Sequence, residues 1–244
     1  GFCLINNIAI TAASLIASEN KTCAPNFNSD KHINSKGLYH PLIENCVVND
    51  INLENSSMLL TGSNMSGKTT FIRTLAINSI LAQTLNFCFA KEYTAPYFKI
   101  YSSIRISDNL LNNTSYYLEE VLAIKTLVDA SKKEAPNLFV LDEIFKGTNT
   151  VERISGGKAI LSFLNTKFNT VLVSTHDIEL TDLLEDEKFK LFHFSEQIND
   201  EELFFDYKLK QGKLKTRNAI KILEMYNYPS EIINDAQKTE QLNF

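Results

Sequence analysis

Apolar positions fall into short unbroken runs separated by longer stretches with one apolar face. Ser57–Thr61 (SMLLT), Leu138–Leu141 (LFVL) and Val171–Ser174 (VLVS) are too short for buried helices, and polar or glycine-containing segments bound them; they predict buried strands. Thr69–Leu85 and Gly156–Leu164 predict the helices that alternate with these strands. Strands separated by helices imply a mostly parallel sheet with helices on both faces, an α/β fold. Upstream, Leu4–Ala17 (LINNIAITAASLIA) has no Gly or Pro and predicts a further helix, and the polar stretch Ser18–Lys36 with Pro25 reads as a connecting loop. Downstream, Glu202–Lys215 alternates around Gln211-Gly212 and predicts a hairpin. Two short helices, Asn218–Tyr226 and Ser230–Gln237, follow on either side of Pro229.

Composition narrows the class. At 244 residues and 44% hydrophobic the chain can bury one sizeable core, with or without a small appendage. No apolar run approaches the roughly 18 residues of a membrane span, so a soluble chain with no membrane partner is expected. The first residue is Gly and no secretory pattern follows, which suggests a piece of a longer chain. Cys3, Cys23, Cys46 and Cys88 form no CxxC or Cys/His cluster, so reduced thiols in a cytoplasmic protein are expected rather than a structural metal. The net charge of −5 confines any nucleic-acid contact to a local patch or to other parts of the protein. Lys208, Lys210, Lys213, Lys215 and Arg217 are one such patch, although alternation along a hairpin puts several of them on a solvated face.

Three segments carry chemistry. Gly62-Ser63-Asn64-Met65-Ser66-Gly67-Lys68-Thr69-Thr70 fits G-x-x-x-x-G-K-[ST], standing between a predicted strand and a predicted helix, the setting of a phosphate-binding P-loop. Gly62 and Gly67 permit a tight backbone whose N–H groups surround phosphate oxygens at the positive end of the helix. Lys68 would reach the β- and γ-phosphates, and Thr69 would ligate Mg²⁺. A plain glycine turn ahead of a surface lysine is the simpler alternative. Asp142-Glu143 ends the second strand, where an α/β sheet meets its ligand; Asp142 would hold the Mg²⁺ and Glu143 would orient or deprotonate the attacking water. His176 follows the third strand, where an imidazole could contact the γ-phosphate or the water. The three together point to an ATPase with ATP and ADP as ligands.

The third strand and His176 resemble the ABC-type ATPases, but no LSGGQ loop is present; Ser107-Asp108-Asn109-Leu110-Leu111-Asn112-Asn113-Thr114-Ser115 occupies the interval. The loop TGSNMSGKTT, the run DEIFKGTNT (Asp142–Thr150), the run STHDIEL (Ser174–Leu180) and GLYHP (Gly37–Pro41) together resemble the MutS family of DNA mismatch-repair proteins, in family order over most of the chain. The resemblance implies a P-loop NTPase of ABC/MutS type whose hydrolysis drives conformational change of a DNA-bound dimer, with DNA bound through upstream domains. It divides the chain into a remnant of a lever helix (1–20), the ATPase domain (21–205) and a C-terminal hairpin and helical dimerisation module (206–244). It also implies that Ser115, at the start of a helix over Tyr116–Ala130, reaches the γ-phosphate held by a second copy or homologue. A plain helix N-cap at Ser115 is the alternative. By the same resemblance, Asn64 would fall near the γ-phosphate and Gly147–Thr150 at the dimer seam. Ser63 and Ser66 stand where the family usually has Pro and Gly, Phe145-Lys146 replaces Gly-Arg, Arg217-Asn218 replaces an aromatic and a glycine, and no adenine-stacking ring is evident near Cys46 and Val47. These departures suggest a divergent paralogue. A nucleotide-dependent dimerisation switch without a role in mismatch recognition is the second reading, and the ATPase subunit of a transporter is disfavoured by the missing LSGGQ.

Overall fold

The computed structural model describes residues 22–63, 65–104, 116–199, 202–214 and 219–242. The predicted helix over 4–17, Asn64, the interval 107–115 with Ser115, and Lys215 and Arg217 lie outside the described residues. In chain order the elements are β1 (Asn26–Asn28), β2 (His32–Leu38), β3 (Asn49–Glu54), β4 (Ser57–Thr61), α1 (Lys68–Leu85), β5 (Glu92–Pro96), β6 (Lys99–Ser103), α2 (Tyr116–Ser131), β7 (Asn137–Asp142), α3 (Thr150–Leu164), β8 (Asn169–Thr175), α4 (Glu179–Leu184), β9 (Phe189–His193), β10 (Glu196–Asn199), β11 (Glu202–Phe205), β12 (Lys210–Gln211), α5 (Ala219–Met225) and α6 (Ser230–Leu242).

The fold is mixed α/β. Its main sheet has the order β12-β9-β4-β8-β7-β6. β9, β4, β8, β7 and β6 pair in parallel with their neighbours, and β12 adds an antiparallel edge. Every residue of β4, β7 and β8 is buried, because each strand is covered on both sides. Alternation then decides which side each residue serves. Met58 and Leu60, Leu138 and Val140, and Leu172 pack with Phe71, Ile72 and Leu75 of α1 and with Ile33 and Leu53 of the smaller sheet. Leu59, Phe139, Leu141, Val171 and Val173 pack instead with Ile124 and Leu127 of α2, Leu161 and Leu164 of α3 and Leu180 of α4. The smaller sheet, in the order β1-β5-β2-β3, has alternating burial along β3, as expected of strands with one wet face.

Three local expectations are corrected. The residues 202–215 do not form a hairpin about Gln211-Gly212. β11 pairs back onto β10, with Glu196 opposite Phe205, and β12 pairs with the edge strand β9, with Lys210 opposite His193. The alternation was a true strand signal, but a period of two does not specify a partner, and the open edge of β9 offers the unpaired backbone groups. The stretch 18–36 is not all loop, since β1 and the start of β2 lie within it. The helix anticipated from Gly156 begins at Thr150, where the Asn149 side chain accepts the Glu152 N–H at 3.0 Å.

Candidate functional site

Strand register assembles the site. Thr61 of β4 lies opposite Thr175 of β8, and Asp142 of β7 lies opposite Ser174, so the three strands end at one edge of the sheet. The residues that follow those ends are Gly62, His176 and Glu143. Sequence positions more than a hundred residues apart are thereby brought within hydrogen-bond reach.

The loop 62–67 joins β4 to α1. At Gly62 a Cβ would meet Ser66 Oγ at 2.7 Å and the Phe194 carbonyl at 2.8 Å, so the backbone passes where no side chain fits. Gly67 has φ 97°, a conformation L side chains rarely adopt, and it leads into α1 with no side-chain cap. The first turn of α1, Lys68 to Thr70, lines a cavity at the positive end of the helix dipole. Ser66 Oγ donates to Ser63 O at 2.8 Å, and Ser63 Oγ donates to Glu196 Oε2 at 2.9 Å. Met65 sits on the rim, 72% exposed.

Lys68 is buried and its ammonium donates to the carbonyls of Gly62 and Ser63, each at 2.8 Å. Burial lowers its pKa to about 8, against the opposing pull of the Glu143 and Asp142 carboxylates. Thr69 Oγ1 donates to both oxygens of Asp142, at 2.9 and 3.0 Å, and Ser174 Oγ donates to Oδ1 at 2.6 Å. Asp142 is thus a buried carboxylate surrounded by hydroxyl donors.

Glu143 sits at φ 62°, an unusual angle for a side-chain-bearing residue, and its N–H donates to Ser174 O at 2.8 Å. Such a conformation costs on the order of 1–3 kcal/mol and needs surrounding contacts to hold it. Its Oε1 lies 3.2 Å from His176 Nε2 and its Oε2 lies 3.5 Å from Lys146 Nζ. Burial alone would raise the Glu143 pKa; the His176 hydrogen bond and the positive charges of Lys146 and Lys68 outweigh it and leave the pKa below the ordinary value. His176 Nε2 is also 3.2 Å from Lys68 Nζ. One ring nitrogen cannot accept from Lys68 and donate to Glu143 at once, so the imidazole tautomer sets which partner it serves. Arg153 of α3 grips Asp177 with two bonds, Nη2 to Oδ1 at 2.6 Å and Nε to Oδ2 at 2.8 Å, which fixes the turn after His176.

Beside the loop lies a cavity of about 520 Å³, floored by Gly67 to Thr70 and walled by Tyr39, His40, Val47 and Tyr207. Tyr207 was not anticipated. Its ring stands 3.2 Å from the position of a Cβ on Gly67, and its backbone, at φ 50°, is held by Asn49. Asn49 Nδ2 donates to Tyr207 O at 3.0 Å, while Leu209 N donates to Asn49 Oδ1 at 2.7 Å. No local pattern links Asn49 to Tyr207; only their packing does. Tyr39 and Tyr207 are among the rings that line this cavity beside Cys46 and Val47. Of the basic patch, Lys208 donates to Val48 O, Lys210 pairs with Asp206, and Lys213 pairs with Asp182 and Glu185, so these three are engaged within the chain.

Of the anticipated residues, the structure gathers Gly62, Ser63, Ser66, Gly67, Lys68, Thr69, Thr70, Asp142, Glu143 and His176 around one sheet edge, with Met65 beside them. Among the described residues no group of three or more His, Cys, Asp and Glu could hold a metal by itself, and no helix is long and apolar enough to cross a membrane.

Fold and site define a mixed α/β protein with a lysine-bearing glycine loop after β4 facing an acidic pair at the end of β7, with β8 between the two strands. The chain belongs to the MutS family: residues 58–243 match the family model for MutS domain V. It is 32% identical over 208 residues to the DNA mismatch repair protein MutS of Aquifex pyrophilus, covering 82% of this chain and 24% of that protein. It is 32% identical over 234 residues to the Staphylococcus epidermidis protein of that name, covering 91% and 26%, and 30% identical over 239 residues to that of Listeria welshimeri, covering 93% and 28%. The chain spans about a quarter of the length of these curated relatives.

Proposed function

We propose that this chain binds ATP with Mg²⁺ as a P-loop NTPase and hydrolyses it to ADP and phosphate. The observation that carries the reading is the convergence of Lys68, Thr69, Asp142, Glu143 and His176 at the mouth of the 62–67 loop, with the Thr69 hydroxyl bonded to Asp142. The phosphates would lie against the loop N–H groups and the start of α1, and Lys68 would exchange the carbonyls of Gly62 and Ser63 for phosphate oxygens. The oxygen-only donor set of Thr69 and Asp142 fits Mg²⁺, which is commonly held by one or two protein oxygens plus phosphates. Bound there, the ion would neutralise charge on the β- and γ-phosphates. Glu143 would orient the attacking water, and His176 would hold Glu143 and sense the γ-phosphate. The cavity volume lies within the range usual for small-ligand sites, and Tyr207 offers a ring for the base.

The relatives' printed name, DNA mismatch repair protein MutS, extends the proposal to the whole protein. Hydrolysis would drive conformational change of a dimer bound to DNA through parts upstream of this chain. Residues 1–20 would lead in from those parts, the ATPase unit expected over 21–205 would draw Tyr207 and β12 into its cavity and sheet, and α5 and α6 of the 206–244 module would contact the partner. Asn64 would lie near the γ-phosphate, and Ser115, immediately before α2, would reach the γ-phosphate bound by the second copy. A second reading, a nucleotide-dependent dimerisation switch with little turnover, is favoured by one observation: Glu143 is tied to His176 and Lys146, and its lowered pKa makes it a weak base.

Steady-state phosphate release with Mg²⁺-ATP across a protein concentration series, for wild type, Glu143→Ala and Ser115→Ala, tests the proposal. Specific activity should rise with concentration and be lost in both variants. ATP binding without turnover replaces it with the switch reading, and turnover indifferent to Glu143→Ala overturns the role given to Glu143.

A further inference from the structure

An acid sits where the packing calls for an apolar side chain. Glu120 of α2 lies one helical turn before Ile124, on the face that packs into the core, and is 3% exposed. Its Oε1 accepts the Phe145 N–H at 2.5 Å, whereas its Oε2 is buried with no hydrogen-bond partner. Burial raises its pKa, aided by the nearby Glu143 carboxylate; the Phe145 bond, the charge of Lys146 and the Lys146 backbone N–H oppose the rise. Burying an acid with one oxygen unpaired costs stability, and the contact that offsets part of that cost is its bond to the Phe145 N–H.

Those residues form the segment 143–147, between Asp142 and α3. Glu143 and Phe145 both have left-handed backbones, at φ 62° and 58°. Strained conformations persist only where surrounding contacts over-determine them. Here Ser174 O holds the Glu143 N–H, and Glu120 holds the Phe145 N–H. The Phe145 ring lies against Gly156 of α3, at 3.0 Å from where its Cβ would be, and 5.9 Å from the Tyr117 ring of α2. Gly147 in turn abuts Tyr117, with Tyr117 Cβ 3.2 Å from the place of its own Cβ. Residues on α2 thus grip the far side of the segment whose near side presents Glu143 to His176.

We infer that Glu120 is a positioning residue, fixing the 143–147 segment in the left-handed conformation that aims the Glu143 carboxylate, and so linking α2 to the hydrolytic step. The catalytic part of this inference rests on the ATPase reading above. The positional part stands on the geometry alone. A carboxylate displaced by about an ångström from its working position can lose two orders of magnitude in rate.

The test compares wild type, Glu120→Gln and Glu120→Ala in the intact protein, by amide hydrogen exchange and by ATP turnover with separate measurement of ATP affinity. Gln keeps an oxygen for the Phe145 N–H; Ala does not. In Glu120→Ala, exchange across residues 143–147 should quicken at least tenfold while that of α1 and β7 is unchanged, and kcat should fall tenfold or more with the ATP Kd within threefold. Glu120→Gln should restore both protection and kcat to within threefold of wild type. Unchanged protection in Glu120→Ala overturns the positioning role whether or not the protein turns over ATP. Loosened exchange with unaltered kcat overturns the link to hydrolysis, as does failure of Gln to rescue. A wild type that binds no ATP refutes the ATPase reading and with it the catalytic part, and leaves exchange to decide the positional one.

Discussion

Asn49 joins two parts of the chain that share no local pattern, and replacing it by alanine removes the tie. The side chain makes two short bonds to the segment carrying Tyr207, at 3.0 Å to Tyr207 O and 2.7 Å from Leu209 N. At about 0.5–1.5 kcal/mol for each net hydrogen bond, Asn49→Ala should destabilise the protein by about 1–3 kcal/mol. Asn49→Asp keeps the acceptor for Leu209 and loses the donor to Tyr207, so its cost should be about half that. Urea unfolding measures both. If Tyr207 walls the base site, loosening its backbone should also weaken binding of a fluorescent ATP analogue, by roughly three- to tenfold, about 1 kcal/mol. The double variant Asn49→Ala/Tyr207→Ala should then bind no more weakly than Tyr207→Ala alone, because Asn49 acts through the ring. Full additivity of the two affinity losses, or a stability change below about 0.5 kcal/mol, would refute this reasoning.

Three further outcomes are expected. Lys31 donates to Asn165 Oδ1 at 2.5 Å, and burial, aided by the charge of Lys188, lowers its pKa from 10.5 to about 8. The folded state therefore releases a proton before the unfolded one does, and stability due to Lys31 should rise with pH between about 8 and 10.5. After discount for partial solvent exposure, the gap between wild type and Lys31→Met should move toward wild type by about 1–2 kcal/mol over that window in urea melts; a flat difference counts against it. Ser174→Ala removes the 2.6 Å bond to Asp142 and should cost about 1.5–3 kcal/mol in the same assay, the value for a hydrogen bond to a charged group. Leu141→Ala opens a hole in a fully buried strand and should cost about 2–5 kcal/mol, read as a fall in the urea midpoint.

What could be read in advance follows the range of the interactions concerned. β4, β7 and β8 were evident as apolar runs because a strand covered on both faces cannot alternate, and α1 showed apolar positions at helical spacing. Residues 62–70, 142, 143 and 176 stood out because each lies next to a strand end, and strand ends are local features. Neighbours across the sheet are not. The pairing of β12 with β9, the small sheet around β2, and the Asn49–Tyr207 tie depend on contacts between distant segments, of which periodicity carries no record. By residue type Glu120 is an ordinary acid near a helix start, which the helix dipole favours. Its burial against Phe145 required the left-handed turn at 143–147, and no residue type there announces one: Glu143 and Phe145 are not glycines.

The late arrival of Tyr207 has a consequence for the newborn chain. The cavity's floor is made at Gly67, but one wall follows roughly 140 residues later. At about 5–20 residues per second, synthesis leaves an interval of roughly 7–28 s in which the glycine loop exists and the finished pocket does not. A nascent chain can thus form its parallel strands with the site still open on one side. The pocket closes only once the segment after β11 has folded back onto β9 and Asn49 has captured it.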